Sequence, residues 1–196
     1  MTLRIEPVTG EALQRALPML AKLRIEVFRE WPYLYEGTLD YEAGYIERFA
    51  RLKDGVIVVA SDAGEAVGAA TASPMQGQNA DVTAPFLERG YELSKLFYFG
   101  ESVLKRAYRG RGIGHMFFDR REAAARMAPG VEQATFSGVV RSRDDPRRDP
   151  VYRPLDDFWR KRGYAPVEGL VGHYSWTDIG DAEKTRKPMQ FWMRKL

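Results

Sequence analysis

Three glycines and two arginines are packed into the seven residues Tyr108-Arg109-Gly110-Arg111-Gly112-Ile113-Gly114. An aromatic-rich, strand-like run from Leu96 to Leu104 precedes them, and a helix-like run from Ile113 to Met127 follows. Strand, glycine-rich turn and helix together build an anion site. Glycines let the backbone come close to a phosphate. The first amides of a helix have no partner inside that helix and point outward as donors. The flanking charge agrees, because Lys105, Arg106, Arg109, Arg111, Arg120, Arg121 and Arg126 face only Asp119 and Glu122. The chemistry on offer is the binding of a polyphosphate.

A second grouping lies upstream. Glu30, Glu36, Asp40, Glu42 and Glu47 share the stretch 30–47 with Trp31, Tyr33, Tyr35, Tyr41 and Tyr45, and no Lys or Arg interrupts them. Acids and ring faces together suit a cation. A solvated acidic loop with its aromatics anchored in the core would have the same composition. The segment from Arg141 to Asp157 is different. Its arginines and aspartates balance, so it is a poor nucleic-acid groove, and self-pairing of its charges is expected.

Composition narrows the field. A chain of 196 residues is expected to form one domain, residues 1–196, with ample length for a core. There is no Cys, which excludes disulfides, a thiolate nucleophile and Cys-based metal sites. Only His115 and His173 are available for zinc, so no metal is expected. The segment Met1-Thr2-Leu3-Arg4-Ile5-Glu6 lacks the apolar stretch of a signal peptide, and no apolar run nears the roughly 20 residues that span a membrane. A cytoplasmic protein without membrane or nucleic-acid partners is expected. The net charge of +3 does not by itself argue for nucleic acid.

The elements that must position these groups read as follows. Leu3 to Val8 is a first strand. Helical spacing of Leu13, Leu17, Leu20, Leu23 and Val27 predicts a helix, with Pro18 expected to kink or divide it. Asp40 to Leu52 reads as a second helix, and Val56 to Ala60 as a buried strand. Ser61 to Glu65 is a hairpin turn, and the small residues Ala66 to Ala72 return as a strand with something close above it. Val82 to Gly90 reads as a short helical turn. Along Leu96 to Leu104, alternation puts Phe97, Phe99, Glu101 and Val103 on one face, and Gly100 marks a bulge or a close approach. The helix Ile113 to Met127 is expected to bury Ile113, Met116, Phe117, Ala124 and Met127. Glu132 to Val140, Tyr164 to Trp176 and Lys187 to Lys195 complete the strands. A short helix, Leu155 to Arg162, ends at Gly163. The order β-α-α-β-β-β-α-β-α-β-β is α+β with a mixed, mostly antiparallel sheet flanked by helices, not a regular βαβ alternation.

Glycine spacing then discriminates among phosphate sites. G-x-x-x-x-G-K-[ST] is absent, and G-x-G-x-x-G fails because the third glycine would fall at His115 or Phe117. What remains, Arg109-x-x-Gly112-x-Gly114, resembles the [QR]-x-x-G-x-[GA] signature of the GNAT superfamily of acyl-CoA-dependent N-acetyltransferases. Phe158-Trp159-Arg160-Lys161-Arg162-Gly163-Tyr164 resembles that family's F-Y-x-K-x-G-F junction, at fitting spacing.

The resemblance implies an N-acetyltransferase with acetyl-CoA as co-substrate. The pyrophosphate would sit on the amides of Gly110, Arg111, Gly112, Ile113, Gly114 and His115 beside Arg109. The pantetheine would pair with the backbone of Ser102, Val103 and Leu104. Glu101, on that strand, is the implied general base. The usual acid, a Tyr, is replaced by Trp159, and an indole cannot supply a proton at neutral pH. Tyr152 is the preferred substitute. Without Cys, direct transfer in a ternary complex is expected. The acceptor is expected to be a primary amine, on a small molecule or a protein, with Glu30, Tyr33, Tyr35 and Glu36 lining its site. The alternative is a non-catalytic acyl-CoA sensor on the same fold. A homodimer is compatible with either.

Overall fold

The computed structural model describes residues 3–196. Among the described residues, seven strands form one sheet in the order β1-β2-β3-β4-β5-β7-β6. They are β1 (Arg4–Val8), β2 (Val56–Asp62), β3 (Glu65–Pro74), β4 (Leu96–Leu104), β5 (Gln133–Val139), β6 (Ala165–Thr177) and β7 (Lys184–Lys195). Every neighbouring pair is antiparallel except β4 and β5. Helices α1 (Gly10–Phe28), α2 (Leu39–Ala50), α3 (Ala80–Leu87), α4 (Ile113–Met127) and α5 (Asp156–Lys161) cover the two faces. Among the described residues no helix is long and apolar enough to cross a membrane.

The small residues of β3 have a structural cause. Ala66 and Ala69 pack under α1 and α2, while Val67 and Ala70 pack with Ile113 and Phe117 of α4. A Cβ on Gly68 would lie 2.7 Å from the Leu104 side chain. The strand is sandwiched closely on both faces, which bulky residues would not allow.

Four expectations are corrected. Helix α1 runs unbroken through Pro18, an exposed position. The carbonyl of Gln14, also exposed, can turn to water in place of the lost hydrogen bond. The stretch before β4 holds a full helix, α3, started by Asn79, whose side chain accepts from the Val82 amide. On α4, Met116 and Met127 are 40% and 83% exposed, while Phe118, Arg121, Glu122 and Ala125 are buried with Ile113 and Phe117. Finally, Phe97 and Phe99 do not share a face with Val103. The first two pack toward α4 and α5, the last under α1 and α2.

The cause of that switch is the bulge. Ala70 is opposite Ser102 and Ala72 opposite Phe99, so Gly100 and Glu101 together face Thr71. One extra residue reverses the alternation downstream. Gly100 is required there, since a Cβ would lie 2.5 Å from Thr71 Oγ1. The Glu101 amide donates to that same hydroxyl at 3.2 Å. The Glu101 carbonyl accepts from Arg121 at 3.3 Å. Arg121 is buried between the rings of Phe99 and Phe118, and burial pushes its pKa down to about 10.

Candidate active site

The glycine-rich turn delivers α4 with its first turn uncovered. Gly112 precedes the helix at φ 80° and Gly110 stands at φ 77°, left-handed conformations that strain other residues. Among the described residues, the amides of Gly110, Arg111 and Gly112 find no backbone hydrogen-bond partner, and no side chain caps α4. Ile113, Gly114 and His115 begin the helix, so their amides also lack intrahelical partners. The sequence blocks touch here, with the His115 ring 4.9 Å from that of Phe158.

Beside this cradle runs an open strand edge. Strands β4 and β5 pair only over Leu96–Tyr98 and then part. The Lys105 amide bonds back to Val67 of β3, and the Glu101 amide is turned the same way. Alternation therefore turns the backbone groups of Ser102 and Leu104 to the open side. The Leu104 carbonyl already accepts from Arg109 Nε there, at 3.0 Å. Val103 corrects the expected set, because its backbone faces β3 and its side chain is in the core.

The bulge aims Glu101 toward α1 and α2. Its carboxylate is 8% exposed, 2.5 Å from Arg24 Nη1, and accepts from the Tyr45 phenol at 3.0 Å. Arg24 also bonds Glu42, which accepts from Tyr35 at 2.7 Å. Burial alone would lower the Arg24 pKa, but Glu101, Tyr45 and Glu42 outweigh it and hold it above its ordinary value. Burial and then Glu101 push the Tyr45 phenol up. Glu101 thus lies on the strand where the sequence put it, with its carboxylate engaged by Arg24 and Tyr45.

The acidic loop is arranged differently from the expectation. Glu30 pairs with Arg109 at 2.8 Å and with Arg106 at 3.4 Å, joining the loop to the phosphate cradle. Glu36 pairs with Arg29 at 2.7 Å. Tyr35 holds Glu42. Neither loop acid presents a free charge to an acceptor. The Tyr33 ring packs, tilted, against Phe28 and Trp176, and burial pushes its phenol up. The loop is pinned to β6 through Asp178, which takes two hydrogen bonds from Arg141, while Arg141 also reaches the carbonyls of Pro32 and Tyr33. The expected self-pairing of the Arg141–Asp157 segment holds for Arg147 with Asp145, but Arg141 reaches outside it.

Tyr152 packs edge-on against Trp31, 6.5 Å between centroids, and burial raises its phenol. Trp159 packs against Phe136 and Trp192. Where β4 and β5 part, three hydroxyls that the sequence did not single out converge. Tyr98 lies 3.1 Å from Tyr174 and 3.3 Å from Ser137, and Ser137 is 3.3 Å from Tyr174. One cleft of about 1750 Å³ is lined by the cradle, Glu101, Tyr45, Tyr152 and these hydroxyls.

No protein-family model matches the sequence, and no curated protein does. Solved structures do match along the whole chain. An acetyltransferase of the GNAT family from Streptococcus pneumoniae is 12% identical, with 100% of both chains covered and a TM-score of 0.58. An aminoglycoside 6'-N-acetyltransferase complexed with coenzyme A is 16% identical, covering 98% of this chain and 96% of that one, with a TM-score of 0.61. NAA60 from Arabidopsis thaliana, in complex with a bisubstrate analogue, is 13% identical over 100% and 99%, with a TM-score of 0.62. With its bulged β4, its parted β4 and β5 and its uncovered α4 N-terminus, the chain has the fold of the GNAT acetyltransferases.

Proposed function

We propose that this protein is an N-acetyltransferase that moves an acetyl group from acetyl-CoA directly to a primary amine in a ternary complex, the amine being carried by a small molecule. The observation that carries this reading is the order of features along one stretch of chain. Free amides at 110–112, the open-edge groups of Leu104 and Ser102, and Glu101 follow one another toward the parting of β4 and β5. That order matches a ligand with phosphates at one end, amides along an arm and a reacting group at the other. From Leu104 to Gly100 the strand spans roughly 13 Å. Both Gly110 and Gly112 have open space above them, so a phosphate can approach.

In this reading Arg109 exchanges Glu30 for phosphate. Ser102 and Leu104 hold the amide-like arm. Glu101 and Glu42 together outweigh Arg24 by one charge, so the cleft floor at Glu101 and Tyr45 is net negative and suits the acceptor's ammonium. Similarity to a coenzyme A complex and to a bisubstrate-analogue complex supports the co-substrate. The loop pinned by Arg141 and Asp178 favours a compact acceptor over a protein chain. A panel of small amines of differing charge tests the acceptor class: neutral and cationic amines are expected to be acetylated, and acetylation of anionic acceptors only would refute it.

The second reading is a sensor that binds acyl-CoA without turnover. Trp159, half-buried against the rings of Phe136 and Trp192 and unable to give up a proton, is the observation in its favour. CoA binding with no acetylated amine across the panel would select it.

A further inference from the structure

The hydroxyl ring at the parting of β4 and β5 has no assigned role, and its place is specific. Tyr98 is the last β4 residue in register with β5, opposite Thr135. Ser137 is two residues beyond Thr135, just past the split, and Tyr174 reaches in from β6. An acyl arm lying along Ser102 and Leu104, with its phosphates at Gly110–Gly112, has its thioester at this end. The other candidates near this end are poorly suited to carry protons. Glu101 is held by Arg24 and Tyr45, Trp159 carries an indole, and Tyr152 is turned edge-on against Trp31 with no hydrogen-bond partner for its hydroxyl among the described residues.

We propose that Tyr98, Ser137 and Tyr174 form a proton relay between the attacking amine and the leaving sulfur. The proposal rests on the acetyl-transfer reading above. A hydroxyl is both donor and acceptor. In a closed ring of three, each oxygen gives one hydrogen bond, accepts one and keeps a lone pair. A proton taken up at one oxygen is balanced by a proton released from another, so no member ends charged. Burial pushes both phenols up, with Glu101 adding to the rise at Tyr98, so both keep their protons at neutral pH.

The step balances with water as the only further participant. The acceptor's ammonium first gives one proton to water; the neutral nitrogen then attacks the thioester carbon, a C–N bond forms and an electron pair moves onto the carbonyl oxygen. On collapse that pair re-forms C=O, and the C–S bond breaks with its electrons going to sulfur. The nitrogen gives one proton to the ring, and a different ring hydroxyl gives one to the sulfur. Amine and thioester become amide and thiol.

The test uses the full chain with acetyl-CoA and an amine that it acetylates. Ser137→Ala and Tyr174→Phe are each expected to lower kcat by about 10²-fold or more, the scale of lost acid–base catalysis, with KM for both substrates changed by less than ~3-fold. Ser137→Thr keeps a hydroxyl and is expected to restore most of kcat. In mixtures of light and heavy water, the wild-type rate should curve with deuterium fraction, as for more than one proton in flight, and the Ser137→Ala rate should not. CoA binding by calorimetry checks that each variant is folded. Wild-type kcat in both Ser137→Ala and Tyr174→Phe, or equal losses in Ser137→Ala and Ser137→Thr with CoA binding intact, would overturn the relay while leaving acetyl transfer standing. A wild-type protein that acetylates no amine would overturn both.

Discussion

Arg24 and Glu30 are the residues whose neighbours most change the account. Arg24 is the cation shared by the buried carboxylates of Glu42 and Glu101. Replacing it by Met leaves both without their partner, and a loss of about 3–5 kcal/mol is expected from denaturant unfolding. Glu101→Gln keeps the shape but not the charge. Because Glu101 is already ion-paired, kcat should fall by less than the ~10²-fold typical of a free general base. Glu30 competes with phosphate for Arg109 across an exposed ion pair. Glu30→Gln is therefore expected to lower KM for acetyl-CoA by up to about fivefold, the reach of a surface pair of ~1 kcal/mol, and to leave the amine KM unchanged. A higher amine KM would instead return Glu30 to the acceptor site. At this scale the sequence was only partly legible. The cradle glycines announce themselves by spacing. Arg24 was also visible, since it continues the helical stripe of Leu13, Leu17 and Leu20, as Glu42 continues that of Ile46 and Phe49. A charge on an apolar stripe was the overlooked signal. The hydroxyl ring gave none, because Tyr98, Ser137 and Tyr174 meet only through the sheet.

Strand β4 organises everything between residue and molecule. Its limits, and those of α4, follow from the sequence because aromatic and β-branched residues give way sharply to glycine and then to a helical pattern. The bulge was also legible in Gly100, but its consequence was not. The reversal of faces depends on the partner's register, which a single strand does not encode. Gly100→Ala places a methyl against Thr71 Oγ1, and a loss of about 1–3 kcal/mol is expected. Adding Thr71→Ala should recover part of it, so the two changes should be non-additive in an unfolding cycle. At the turn, Gly112→Ala forces a side chain into the left-handed region, costing roughly 1–2 kcal/mol and weakening CoA binding.

Across the whole molecule, the acidic loop, the cradle and the β6–β7 hairpin are tied together by ion pairs. Asp178 is the knot, bonded by Arg141, Arg147 and Lys187. Burial opposes its charge, but the hydrogen bonds from Arg141 and Lys187 outweigh it and hold its pKa below the ordinary 3.8. A depressed carboxylate contributes stability that is complete above the unfolded pKa and lost as pH falls through the folded one. Asp178→Asn should therefore flatten the fall in melting temperature below about pH 4. The pairs of Arg141 and Arg147 with Asp178, each spanning more than thirty positions, were illegible in sequence because local charge balance suggested only neighbours. The element order was legible because each segment's periodicity is strong, apart from α3, whose short run with Pro85 looked like a turn. Direct acetyl transfer can be read from bisubstrate kinetics. Acetyl-CoA and a small amine are varied against each other while free CoA and amide are measured. Direct transfer should release one CoA per amide formed, with intersecting reciprocal plots. Parallel plots would contradict direct transfer, and CoA binding without amide for any amine would contradict the enzyme.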